Sequence, residues 1–142
     1  MIQFLDIQIE DLEQLRQWRT SPEVASNLFS EPNISFEDQL NWFLNISKQT
    51  NSLYKIILYK GDKVGLISAT NIDSVSKKGV FGLFIGDLKA KNRGVGALAT
   101  FYFLEEYIFG KLNLNRFYSE VLETNQEAIK LNEAFGFKRE GI

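Results

Sequence analysis

Over residues 79–109 a strand-like run, a basic loop with two glycines and a long apolar run follow one another. Residues 79–85 read as a strand, 87–96 as the loop and 95–109 as a helix. Such a junction sends the chain back across a sheet and demands a parallel strand afterwards, which residues 116–122 supply. Gly94 and Gly96 let a ligand approach the backbone, and the free N–H groups of a helix start favour a phosphate. Lys89, Lys91 and Arg93 add positive charge on the approach. Gly86 and Gly94 serve equally well as turn and cap glycines of no functional account, and a lone G-x-G does not decide between the two.

The rest of the chain builds a sheet for this junction. Ile2–Leu5 reads as a short first strand and residues 10–19 as a helix with Leu12 and Leu15 on its apolar face. Pro22 suits the first position of a short second turn. Ser35 and Asp38 have capping-box spacing and open a helix to about residue 49, with Phe36, Leu40, Phe43 and Leu44 on one side. The period then changes to two: a strand over 53–59, a turn at Gly61-Asp62 and a partner strand over 64–70. Residues 125–135 read as a last helix, with a strand beginning at Phe137. The order β-α-α-β-β-β-α-β-α-β predicts one mixed α/β domain over residues 1–142, antiparallel strands first and a parallel crossover at the glycine loop.

Composition removes whole classes of chemistry. With no cysteine and no histidine there is no disulfide, thiolate nucleophile, Ser-His relay or Cys- or His-ligated metal, so no metal is expected. Proton transfer is left to carboxylates, lysine, tyrosine, a terminus or water. A net charge of -2 gives no global field toward nucleic acid or membrane. No apolar run reaches about 18 residues and the N-terminus lacks a signal pattern, so the expectation is a cytoplasmic protein.

Residues 91–97, Lys-Asn-Arg-Gly-Val-Gly-Ala, resemble the R/Q-x-x-G-x-G/A signature of Gcn5-related (GNAT) acetyltransferases, with Lys91 where the family has Arg or Gln. Residues 125–131 followed by Phe135-Gly136-Phe137 look like that family's N-x-x-A-x-x-L … G-F motif. Asn125 and Gly136 are also a good N-cap and C′ glycine in their own right. The likeness implies a GNAT fold: a mixed, mostly antiparallel sheet, helices on both faces and a parallel splay between the fourth and fifth strands. It implies acetyl-CoA as co-substrate. Its pyrophosphate would lie on the backbone of Arg93, Gly94, Val95, Gly96 and Ala97 beside Lys91, with further contacts from Leu83, Phe84, Ile85 and Asn125. A side chain at Gly94 or Gly96 would then stand in the phosphate path.

Glu120, five residues before Asn125, is similar in spacing to the E-V-x-x-x-N pattern of ribosomal-protein alanine acetyltransferases. The resemblance implies that Glu120 serves as base; a solvated or ion-paired glutamate is the alternative. The family's usual acid is a tyrosine seven residues after the asparagine, and here Asn132 stands there. Either Tyr118 or water then protonates the leaving thiolate, a good leaving group with a thiol pKa near 8.5 for cysteine. The family's sheet continues past the end of this sequence, so its fifth strand would show an open edge. A shortened chain or cover from a neighbouring subunit, as in a homodimer, would account for that.

Residues 18–24, Trp-Arg-Thr-Ser-Pro-Glu-Val, resemble an opening shared by ribosomal-protein and aminosugar N-acetyltransferases. Residues 39–43 and 80–86 look closest to the acetyltransferases of pseudaminic acid biosynthesis, which act on a UDP-linked 4-amino sugar used in flagellin glycosylation. The implied partner is a small-molecule nucleotide sugar, with Trp18, Arg19 and Trp42 as binding residues. Both tryptophans also fit amphipathic helix patterns as core, and Arg19 could equally pair with Glu23. Two rivals stay open. Residues 94–99 fit the G-x-G-x-x-A of a dinucleotide site, although that site normally opens its fold. A non-catalytic acetyl-CoA-binding domain is the other.

Overall fold

A computed structural model describes residues 2–22, 34–90, 93–114, 116–119 and 130–133. Five strands form one sheet in the order β1-β2-β3-β4-β5. They are β1 Ile2–Leu5, β2 Leu53–Tyr59, β3 Asp62–Asp73, β4 Lys78–Ile85 and β5 Arg116–Ser119. The first four pair antiparallel and β4 pairs β5 in parallel, from Lys78↔Arg116 to Phe81↔Ser119. An antiparallel sheet with one parallel pair is incompatible with the doubly wound dinucleotide reading, which needs a parallel sheet from the start.

One face of the sheet is covered by α1 (Leu12–Thr20) and α2 (Phe36–Lys48). Leu12 and Leu15 are fully buried there with Ile56 and Leu66, each side chain contributing about 1.5–3 kcal/mol by leaving water. The α1 helix is entered through a 3-10 turn, Ile9–Asp11, because the Gln8 amide donates to the Asp11 carboxylate at 2.8 Å. Lys63 of β3 closes an ion pair on the same buried aspartate. The predicted capping box of α2 is present, with Asp38 N–H to Ser35 Oγ at 3.1 Å and Ser35 N–H to Asp38 Oδ2 at 3.4 Å. Its buried side is rotated from the expected one: Phe36 and Leu44 are exposed, while Gln39 is fully buried and Leu40, Trp42, Phe43 and Ile46 pack on the core.

The other face carries α3 (Val95–Phe103) and its continuation Leu104–Lys111, which is π-helical. Phe103 anchors it, fully buried with rings of Phe4 and Phe81 at 5.8 and 6.5 Å. A single α-helix to residue 109 was expected. The wider turn leaves Leu112 N–H on Tyr107 O at 2.7 Å, and a side chain at Gly110 would sit 2.9 Å from the Glu105 carbonyl. The hairpin turn also lies one residue earlier than read, at Lys60-Gly61, with φ of 52° and 87°. A two-residue turn matching the sheet's twist needs both angles positive.

Candidate active site

The loop that opens α3 is fixed from below by β3. Register slips between Ile57 and Leu58, which leaves Val64 as an extra residue and frees its carbonyl. That oxygen accepts from both Gly86 N–H (2.9 Å) and Asp87 N–H (3.1 Å), so the end of β4 is tied to the bulge. Asp87 then shapes the loop, its carboxylate taking Lys89 N–H at 2.9 Å and its carbonyl Ala90 N–H at 3.0 Å. Gly86 is a glycine for space. A Cβ there would lie 2.1 Å from Cγ of Trp18.

The start of α3 is left open. Gly94 is its N-cap at φ 75°, a left-handed conformation that costs other L-residues about 1–2 kcal/mol. Glycine brings no capping side chain, and the first turn holds no acid. The first intrahelical donor is Leu98 N–H on Gly94 O at 3.0 Å, so the amides of Val95, Gly96 and Ala97 have no carbonyl within the helix. The contrast with α2 is direct, since Ser35, Glu37 and Asp38 complete and neutralise that helix start. Around α3 the exposed side chains of Lys89 and Arg93 supply positive charge instead. A Cβ at Gly94 would meet nothing within 4 Å. At Gly96 the expectation of a blocked phosphate path is revised. A Cβ there points at β4, 3.6 Å from Leu83 and 3.9 Å from Ile85, in ordinary contact.

Leu83 and Ile85 therefore lie under the first turn of α3, while Phe84 faces α1, its ring 6.4 Å from that of Trp18. Trp18 is 8 % exposed and packed on Gly86 and Phe84, so its ring is in the core. Arg19 and Trp42 come together beside it, the guanidinium carbon 5.6 Å from the indole centroid. Arg19 also donates to Gln39 Oε1 at 3.3 Å. Trp42 meets Tyr54 edge-on at 5.1 Å. Burial lowers the Arg19 pKa against the opposing influence of Tyr54, and burial raises that of Tyr54 against Trp42 and Arg19. Gln39 and Tyr54 belong to this cluster and were not singled out from the sequence, because only the fold brings β2 under α2. Among the predicted site residues, Lys91, Glu120 and Asn125 lie outside the described residues, as does Glu23. Tyr118 stands opposite Val80 in the parallel register. Asn132 is buried in the helical stretch 130–133. Among the described residues no group of three or more acidic side chains could hold a metal ion, and no helix is long and apolar enough to cross a membrane.

The profile of the acetyltransferase (GNAT) domain matches residues 2–138. The chain belongs to the GNAT acetyltransferase family. Acetyltransferase PseH of Campylobacter jejuni is 27 % identical over 129 residues, 90 % of this chain and 77 % of that protein. In structure the chain is similar to spermidine N-acetyltransferase of Vibrio cholerae, solved with CoA and spermine, with a TM-score of 0.89 at 21 % identity over 99 % of this chain and 82 % of that one. A domain from Methanocaldococcus jannaschii aligns with a TM-score of 0.84 at 23 % identity, over 99 % of this chain and 90 % of that one.

This acetyltransferase is thus an acetyl-CoA-dependent enzyme that acetylates amines. Acetyl-CoA supplies a thioester whose acetyl carbon an uncharged amine can attack. The residues present fit it: three unbonded amides, no acid in the first turn, open space over Gly94 and two exposed cations are what a pyrophosphate needs. What remains for the chain is to orient the acceptor and to take up the ammonium proton.

Proposed function

We propose that this acetyltransferase acts on the 4-amino group of a UDP-linked 4-amino-4,6-dideoxy sugar. The observation that carries this reading is the cluster of Arg19, Gln39, Trp42 and Tyr54, which joins an aromatic surface to hydrogen-bonding groups on the α1/α2 side of the sheet. Sugar and uracil offer flat faces and many hydrogen-bonding atoms, and such a surface suits them. The sequence relationship to acetyltransferase PseH supports the same reading. The backbone of residues 93–97, with Lys91, Leu83, Ile85 and Asn125, holds the coenzyme, whereas the Phe84 side chain lies on the α1 face. Glu120 takes the proton of the amine, directly or through one water, and Tyr118 or water returns one to the departing thiolate. The unit that does this is the single domain of residues 1–142, working in the cytoplasm and as a homodimer.

The test is a competition at equal acetyl-CoA among the UDP-4-amino sugar, peptides beginning with Ser or Ala as in ribosomal proteins, and spermidine. The sugar should be acetylated fastest. Faster acetylation of a peptide moves the enzyme to the ribosomal branch, and faster acetylation of spermidine moves it to the polyamine branch.

A further inference from the structure

The α1/α2 face of the sheet carries a polar row that the coenzyme loop does not use. Tyr54 pairs with Ser68 and Ser68 with Gly82, so the three lie side by side across β2, β3 and β4. One step along, the row of Ile56, Leu66 and Phe84 is apolar and packs under α1 and α2. Ser68 is 8 % exposed in the middle of six consecutive buried residues, Val64 to Ala69. Its hydroxyl makes no hydrogen bond among the described residues and, unlike Gln39 Nε2, is not sealed from solvent. Beside it stands a residue with no side chain: a Cβ at Gly82 would lie 2.5 Å from Ser68 Oγ. Gly82 is only half-buried, so the space next to the hydroxyl opens outward.

The helix above this row adds an unmatched polar group. Along the row, Tyr54 touches Trp42, and Gln39 on the same helix is fully buried with Nε2 lacking a partner. The Arg19 guanidinium on Oε1 fixes which way that amide points, so the unmatched group is the donor. A hydroxyl that can donate and accept thus shares its face of the sheet with a phenol, and α2 over that face carries an amide donor.

We infer that Ser68 and the space beside it over Gly82 receive a hydroxyl group of the acceptor, which makes Ser68 the residue that selects hydroxylated amines over hydroxyl-free ones. The inference rests on the proposed function only in taking the α1/α2 face as the acceptor side; it holds for a sugar or for a serine terminus. Ser68→Ala removes the hydroxyl. Ser68→Ala with Gly82→Ala also fills the space, and does so without strain, since the new methyl would stand 3.9 Å from Cβ of residue 68.

The experiment measures kcat/KM for two matched pairs in wild type and in both variants. One pair is the UDP-4-amino sugar and its 3-deoxy analogue; the other is a Ser-starting peptide and its Ala-starting counterpart. Wild type should prefer the hydroxylated member of whichever pair it accepts by about tenfold or more. In the double variant that preference should fall to about one through KM, with melting temperature and stabilisation by acetyl-CoA retained. A preference that survives in a folded double variant overturns the inference, as does a wild type that favours the hydroxyl-free member or accepts neither pair. If the double variant has no melting transition, Ser68→Ala alone gives the same readout. Which pair is used reports separately on the nucleotide-sugar reading.

Discussion

Gly86→Ala should destabilise the protein through a single contact, and the size of the effect follows from the geometry. The new Cβ would lie 2.1, 2.4 and 2.5 Å from Cγ, Cδ2 and Cδ1 of Trp18. Carbon atoms settle at about 3.5–4 Å, so the ring or the strand end must move by at least about 1 Å. Neither is free to do so. The indole is buried against Phe84, and the Gly86 and Asp87 amides are both bonded to Val64 O. Overpacking of this kind costs about 1–3 kcal/mol, or a fall in Tm of roughly 3–12 °C for a chain of this size. Because the same residues lead into the α3 start, acetyl-CoA should also bind more weakly. Trp18→Ala removes every clashing atom and by itself should cost about 3–5 kcal/mol. On that background Gly86→Ala should cost almost nothing, a coupling of about 1–3 kcal/mol in a double-mutant cycle followed by thermal or urea unfolding. Additive costs, or a Gly86→Ala protein that melts like wild type, would refute the view of Trp18 as core and of Gly86 as the space it needs.

Gly96→Ala should leave acetyl-CoA affinity within about twofold and stability unchanged or raised by up to about 1 kcal/mol, because its methyl meets only ordinary contacts; Gly94→Val should weaken binding about tenfold or more by titration calorimetry. Glu120→Gln should lower turnover about 10²-fold or more at pH 7 with acetyl-CoA binding intact, and the deficit should shrink at high pH where the amine is already neutral; wild-type turnover at pH 7 would place the base elsewhere. Tyr54 is held above its ordinary pKa of 10.0, chiefly by burial. Its stabilising contribution is therefore full below about pH 10 and is lost as pH rises through the raised value. Tyr54→Phe should flatten the alkaline arm of a Tm-versus-pH curve, and an unchanged arm would show that Tyr54 does not titrate within the fold.

Features set by neighbours in sequence were legible in advance. The Ser35–Asp38 capping box, the strand over 53–59 and the glycine-led start of α3 are local, and each stands where its residues indicated. Features set by distant contacts were not. Gly86 reads as a turn glycine until Trp18 is seen on top of it. Phe36 and Leu44 fit an apolar stripe, yet the side of α2 that turns inward is centred on Gln39, because Arg19 of a different helix meets it there. The π-helical end of α3 depends on backbone crowding around Gly110, which no side-chain pattern records. In the candidate site the same division holds: the glycine-led start of α3 follows from a short motif, whereas Tyr54, Ser68 and Gly82 meet only through strand register.

The α3 helix starts with no capping side chain and no acid in its first turn, which leaves its first amides to an anion. With the coenzyme as that anion, as proposed, its binding and the stability of the fold are linked. At a coenzyme concentration of about one hundred times Kd the folded state gains about 2.7 kcal/mol, a large part of the margin on which a domain this size stands. Amide exchange at residues 95–97 should then slow as the coenzyme is added, while exchange at the self-capped start of α2 stays constant. In a cell, the lifetime of this protein against proteases would track the supply of its own acyl donor.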